Sequence, residues 1–342
     1  MLEGSCPKRG EALDLFFPDS ARHPYYIVTP DYTRYSAGIK VLHTLCHMLN
    51  VRGQSAFVVT AYVNPDLVTP RLTEDIVDLH FAAKRTPIVV YPERLVGNPL
   101  NGACVVRYLL NVPGLLGIGP AFGPDDILIW YAEVYRRQCN GTEPILEIPT
   151  SDARMFSPPP AMQKRSGTCF YAGKFKLFSG RELLPVTRES TEIPYGGDGT
   201  SQQELAELFR RSELFYAYEN TALALEATLC GCPTVVLTSE FTRRPDEGVA
   251  RWPGIAWGNE PDEIEWAKRT VHLARDHYQQ HATNALRQLD DFIAMTQERA
   301  AERPYASRIT PVNPHLPPAA PVPLSITRRC KNAAKALLGR LQ

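Results

Sequence analysis

The sequence predicts an α/β protein with two domains, each built on a parallel sheet, and a proline-rich carboxyl-terminal extension. Three observations carry that expectation. Short runs of branched and aromatic residues alternate with stretches whose apolar residues recur at helical spacing, the pattern of strands joined by crossover helices. The chain has 342 residues, 44% of them hydrophobic, enough for two sizeable cores. A polar, proline-rich stretch over 151–166, containing Pro158, Pro159 and Pro160, breaks the alternation. The boundary is therefore placed there, giving an amino-terminal domain over 1–150, a carboxyl-terminal domain over 151–303 and a tail over 304–342.

In the first domain, 25–29 is the first strand. A loop containing Asp31 follows, then Ser36, Ala37 and Gly38, small residues that let backbone approach a ligand closely or simply make a tight turn. Ile39, Leu42, Leu45, Cys46 and Leu49 mark an amphipathic helix, and Gly53 precedes a strand over 56–60. Residues 67–84 read as a strand with turns around His80. The run 87–91 is a buried strand ending at Pro92 and Glu93, and 103–110 reads as a helix carrying Arg107. Glu93, just past a strand's end, is either a polar residue of a ligand crevice or an ordinary surface group. Glycine-rich 117–123 has the look of a dinucleotide loop, but Pro120 and the lack of a following helix argue against it. Asp125 and Asp126 read as a turn pair at the strand over 126–131, and 144–148 reads as another strand.

The second domain opens with a strand over 168–172, followed by Gly173, Lys174 and Lys176. A short strand over 185–187, a glycine loop over 196–199 and a helix over 202–211 lead into 212–237, where most of the chemistry lies. There a strand at 214–216 gives way to Glu219, Asn220 and Thr221, of which Asn220 or Thr221 can cap a helix. Leu223, Ala227 and Cys230 recur at helical spacing, Gly231 offers a left-handed stop, and 234–237 is a second strand. In a parallel sheet such a unit puts its loop at the carboxyl ends of the strands, where ligands bind, and the helix start suits a phosphate. Glu226 follows Glu219 by seven residues, so the two carboxylates fall on roughly one face. Deep in an apolar helix, Glu226 needs a partner: an arginine, a backbone amide or the diol of a ribose. Residues 260–301 read as helix. Prolines preclude regular helix over 304–323, and 326–341 is a basic amphipathic segment suited to a membrane surface, a partner or the body of the protein.

Composition narrows the function. Lys+Arg and Asp+Glu both number 37, so no overall field draws the chain to nucleic acid or an anionic surface. No run reaches the length of a membrane span, and the start MLEGSCPKRG lacks a signal-peptide core. The eight scattered cysteines suggest reduced thiols in the cytoplasm, and Cys230 with Cys232 has no companion ligands for zinc. The sequon at Asn140 is without consequence there.

The second half resembles the carboxyl-terminal domain of GT-B glycosyltransferases, particularly the large retaining family with paired glutamates. The matching pieces are Tyr171-Ala172-Gly173-Lys174, then ELAELF at 204–209 with Ser212 and Glu213, then Leu225-Glu226-Ala227 with Cys230-Gly231-Cys232-Pro233 and the strand after it. The first half is similar to the family's amino-terminal domain in its strand, Ser36-Ala37-Gly38 loop, helix, Arg52-Gly53 and strand. The resemblance implies two Rossmann-like domains facing across a cleft, the first taking the acceptor and the second a nucleotide-sugar donor. It implies that Glu226 holds the ribose hydroxyls. The family's first glutamate stands eight residues earlier, at Tyr218 here, so Glu219, one residue late, would meet the donor sugar. Asn220, Thr221 and Ala222 replace the family's glycine-rich stretch. Lys174 and Lys176, with Arg181 or Arg188 as substitutes, would neutralise the diphosphate, and Gly173 would bind the donor beside them. Ser36 and Gly38 would face the acceptor, and Glu93 or Asp31 would act as base if the reaction inverts; retention requires none.

The activity so implied is transfer of a sugar from a nucleotide-activated donor to a glycan or lipid-linked acceptor, as in polysaccharide biosynthesis. Neither metal nor other cofactor is expected, because no Asp-x-Asp stands at a strand end. The location implied is the cytoplasm, with contact to the inner face of a membrane or to a protein through 326–342. Two other readings keep the fold: a nucleotide-sugar epimerase, and a catalytically silent module that binds nucleotide or glycan.

Overall fold

The computed structural model describes residues 22–34, 36–114, 122–160, 164–195, 200–242, 244–245 and 251–311. The glycine-rich 117–121 and 196–199 and the basic segment over 326–341 lie outside them. Two compact units emerge, one of Met1–Ile148 with Ala285–Gln342, the other of Pro149–Asn284.

In the first unit, β1 (Tyr25–Val28), β2 (Ala56–Val59), β3 (Ile88–Pro92), β4 (Cys104–Leu109) and β5 (Ile127–Trp130) form a parallel sheet in the order β2-β1-β3-β4-β5. Tyr25 stands opposite Ala56 on one side and Ile88 on the other. Alternation along the strands builds two cores. Tyr25, Ile27, Val58, Val90 and Val106 meet α1 (Ala37–Val51) and the later turns of the carboxyl-terminal helix, through Leu289 and Phe292. Tyr26, Val28, Phe57, Val89 and Val105 meet Val77 of α2 (Glu74–Ala82) and the loop residues Leu95 and Leu100. A short α3 (Glu133–Gln138) follows β5.

The second unit repeats the plan. β6 (Thr168–Tyr171), β7 (Thr191–Glu192), β8 (Leu214–Ala217), β9 (Thr234–Val236) and β10 (Ile255–Trp257) lie in the order β10-β9-β8-β6-β7, all parallel. One face packs on α5 (Gln202–Arg211) and α6 (Ala222–Leu229), the other on α4 (Gly173–Phe178) and α7 (Pro261–Thr270). The last helix, α8 (Ala274–Ala301), begins in this unit and ends in the first.

Several expectations are corrected. Residues 103–110 yield strand β4, not a helix: flanked by strands and covered on both faces, its run is apolar except for Arg107, and periodicity cannot separate that from a buried helix. The 67–84 stretch yields helix α2, capped by Thr73, whose side chain accepts from the Ile76 amide. Residues 144–148 contribute one bridge, Trp130 to Ile145, rather than a strand. Pro185–Thr187 is a single 3-10 turn. The helix over 260–301 is interrupted by a 3-10 turn at Val271–Leu273. Strand β10, three residues between Gly254 and Gly258, is too short to leave a pattern.

Candidate functional site

Within each unit the strand order, counted from its own first strand, is 2-1-3-4-5. Winding reverses between the first and third strands, and loops leaving their carboxyl ends part to form the crevice where doubly wound sheets bind ligands. In the first unit those strands are β1 and β3, in the second β6 and β8. Asp31, Ser36 and Glu93 lie on segments leaving strands of the first, and Gly173, Lys174, Glu219 and Thr221 on segments leaving strands of the second.

At the first, Asp31 lies just beyond β1. Its Oδ1 accepts from Thr60 Oγ1 at 2.7 Å and from the Ala61 and Tyr62 amides, both at 2.9 Å. These bonds, the Thr60 hydroxyl foremost, hold its pKa below the usual carboxylate value. Ser36 caps α1, accepting from the Ile39 amide at 3.5 Å. Gly38 sits in the first turn, and a Cβ there would lie 3.4 Å from Leu110 Cδ1. Leu110 in turn donates its amide to Glu93 Oε2 at 3.1 Å. Gly38 and Glu93 are thus brought onto one residue, Leu110. Glu93 is buried, and burial pushes its pKa up to about 7 against the pull of its own and the Leu110 amides and of Arg94.

Two residues here take a setting that the sequence reading did not give them. Arg107 is 1% exposed and donates to Asp126 at 2.6 Å, to the Leu95 carbonyl at 2.9 Å and to the Gly97 carbonyl, with its guanidinium 4.9 Å from the Tyr91 ring centre. It clamps the loop that follows Glu93, and Asp126, which closes the turn over 123–126 as expected, is also its counter-ion. His43 of α1 is buried, with Nε2 3.2 Å from the Pro30 carbonyl and its ring edge-on to Tyr32, beside Asp31. Its Nδ1 has no hydrogen-bond partner among the described residues. The available signal was its place on the apolar stripe of the helix, four residues from Ile39.

At the second crevice, Gly173 opens α4 with φ +36°, and a Cβ there would come within 2.6 Å of the Tyr171 ring and 2.7 Å of Glu219 Oε2. Glu219 Oε2 accepts from the Lys174 amide at 2.6 Å, and Oε1 lies 3.5 Å from Lys174 Nζ. Lys174 is 40% exposed on its side chain and Glu219 6%. Burial raises the Glu219 pKa; Lys174, by charge and hydrogen bonds, opposes it. Tyr218 turns the other way, into the core: its hydroxyl pairs with Thr187 Oγ1 at 2.7 Å and accepts from the Leu184 amide. The Asn220 amide donates to the Phe241 carbonyl at 3.2 Å. Thr221 caps α6, its side chain accepting from the Leu223 amide at 3.3 Å, and Ala222 is the first helical residue. Lys176 pairs with Glu192 at 2.6 Å, and Arg181 with Glu240. Glu226 is 4% exposed, and its Oε1 accepts from Ser151 Oγ at 3.2 Å. A serine hydroxyl is therefore among its partners, a pairing invisible to local spacing because 75 residues separate the two.

Among the described residues no three histidine, cysteine or acidic side chains gather to hold a metal ion. No described helix is long and apolar enough to cross a membrane.

No protein-family model and no curated protein matches the chain. Solved structures similar to it include the glycosyltransferase SnogD from Streptomyces nogalater, 14% identical over 82% of this chain and 98% of that one, with a TM-score of 0.37. The spinosyn rhamnosyltransferase SpnG is 13% identical over 82% and 98%, with a TM-score of 0.34. The glycotransferase of kitacinnamycin is 10% identical over 82% and 97%, also at 0.34. Likenesses this distant carry no weight for fold or function, which rest on the chain's own topology and side chains.

Proposed function

We propose that the chain is a glycosyltransferase that moves a sugar from a nucleotide-activated donor to a hydroxyl of a glycan or lipid-linked acceptor. One observation carries this reading: two parallel sheets of the same strand order, each with chemically distinct polar groups at its point of reversal. In the second unit Lys174, Glu219 and the capped start of α6 suit a donor. The cation and the helix amides would bear the charge that grows on the departing diphosphate, and Glu226 would take the ribose hydroxyls. In the first unit Glu93 suits a base, since a carboxyl titrating near neutrality combines ionisation with driving force for accepting a proton. Fixed by Leu110, it would take the acceptor's hydroxyl proton. The acceptor oxygen bonds the anomeric carbon as the bond to the diphosphate breaks and its electron pair leaves with phosphate. Asp31, held ionised, would orient sugar hydroxyls. No resident metal enters this scheme.

A silent binding module is the second reading, and one observation favours it. Glu219 is already engaged by the Lys174 amide and ammonium, while Tyr218, at the resembled family's first glutamate position, is core. Incubation with a panel of nucleotide-sugars and glycan or polyprenyl-phosphate-sugar acceptors separates the two. Acceptor-dependent release of nucleoside diphosphate supports transfer. Nucleotide binding without release, under every acceptor, leaves the module.

A further inference from the structure

Glu226 does not stand alone in its buried surroundings. Ser151 Oγ donates to its Oε1, and the Ser151 carbonyl accepts from the Tyr278 hydroxyl at 2.6 Å. Ser151 and Tyr278 are 9% and 7% exposed, so the relay runs through a region largely shielded from water, where each hydrogen bond has few substitutes. The three residues come from separate places: the first residues of the unit, the middle of α6 and the first turns of α8. The serine backbone is pinned further along by Arg275, which donates to the Ala153 carbonyl at 3.0 Å, and by Arg210, which donates to the Met155 and Ser157 carbonyls at 2.7 and 2.8 Å. Such anchoring exceeds what a linker needs to pass by. It fixes one serine hydroxyl against one carboxylate oxygen.

We propose that Ser151 and Tyr278 are positioning residues that orient the Glu226 carboxylate toward the sugar hydroxyls of a nucleotide and so set the site's selectivity for them. The proposal rests on the nucleotide-binding reading of the second unit. The physical basis is that a buried carboxylate held in one orientation toward a hydroxyl rejects a ligand lacking that hydroxyl more strongly than a loosely held one, because the mismatch leaves one hydrogen bond unmade in a site that cannot readily rearrange. With Oε1 held by Ser151, the carboxylate has less freedom to turn. Without that tether it can rotate or recruit water, and the penalty for a missing hydroxyl shrinks.

Calorimetric titration of the full chain with UDP, GDP, ADP and dTDP identifies the tightest of the four. The same titration is then made with its 2′,3′-dideoxy counterpart. Wild type is expected to prefer the parent nucleotide by tenfold or more, and Glu226→Gln to bring the ratio close to one. Ser151→Ala and Tyr278→Phe should each narrow the ratio several-fold with circular dichroism and Tm close to wild type, and Ser151→Thr should restore much of it. If the two variants weaken parent and dideoxy nucleotide by the same factor, or leave the ratio untouched, the positioning role is overturned while the nucleotide site survives. A wild type that binds nucleotide without discrimination removes the sugar-hydroxyl role of Glu226, and this inference with it. Absence of binding to all four removes the nucleotide reading itself.

Discussion

The two points of reversal share a strand order and differ in how they treat a carboxylate. In the second unit Glu219 is tied to Lys174 twice, by amide and by ammonium, so burial and an adjacent cation pull its pKa in opposite directions. In the first, Glu93 accepts from the Leu110 amide, has no ion pair among the described residues, and titrates near 7 because burial dominates. One carboxyl is held beside a cation, and the other is shifted toward neutrality by burial. The difference arises from the segments packed beside each carboxylate rather than from the strands: a glycine-lysine helix start beside Glu219, an arginine-clamped loop beside Glu93.

The largest effect expected is at Glu93. Glu93→Gln should lower kcat by about 10²–10⁴-fold, the usual worth of a general base, with KM little changed. The wild-type rate should rise with pH up to about 7 and level off, and that limb should vanish in the variant. Folding carries the opposite sign. The native state holds this proton more tightly than the unfolded chain, whose glutamates titrate at roughly 4.3. The contribution is therefore full below that value and is lost as pH climbs through about 7, while Glu93→Gln should flatten this part of the stability profile in denaturant titrations. A pH-independent rate in wild type would break the contrast drawn above. Lys174→Ala comes next. Removing the cation should cost about 10²-fold in turnover, in the range of losing one preorganised charge-stabilising group. It should also drive the Glu219 pKa further up. Wild-type turnover in the folded variant would take Lys174 out of the donor site.

The glycines of the two crevices offer a smaller test with opposite signs. Gly173→Ala forces a Cβ against the Tyr171 ring and Glu219 Oε2 at a positive φ, and should lower stability by about 1–3 kcal/mol. Gly38→Ala meets Leu110 at ordinary contact distance within a helix, and should raise stability by up to about 1 kcal/mol. Thermal unfolding of both variants measures the pair, and equal signs would mean the crevices are not built differently at their backbones.

Much of this was legible in the residues. The strand–loop–helix–strand unit over 212–237, a cap at Asn220 or Thr221 and the need of Glu226 for a partner all follow from local rules of period and capping. What stayed hidden was non-local. A fully covered strand such as β4 reads like a buried helix, and so Arg107 lost its true setting as a buried ion in a sheet. Ser151 and Tyr278 reach Glu226 from 75 residues before it and 52 after, beyond any spacing rule. The strand order that makes both crevices comparable is a property of pairing, which no single segment encodes.

The smallest expected effect falls on the two helix caps, Ser36 on α1 and Thr221 on α6. Their side chains accept from first-turn amides at 3.5 and 3.3 Å, long bonds, so Ser36→Ala and Thr221→Ala should each cost near the low end of the cap range, about 0.5–1 kcal/mol. The stability of the cap variants therefore does not tell the crevices apart. Ligand affinity does. If the donor's phosphates rest at the start of α6, Thr221→Ala perturbs amides that the nucleotide uses, and the affinity for a nucleoside diphosphate should fall several-fold more than the stability change explains. Ser36→Ala should leave that affinity within experimental scatter, because α1 belongs to the unit assigned to the acceptor. The reverse outcome, with Ser36→Ala weakening nucleotide and Thr221→Ala neutral, would exchange the roles of the two crevices while leaving their geometry as described.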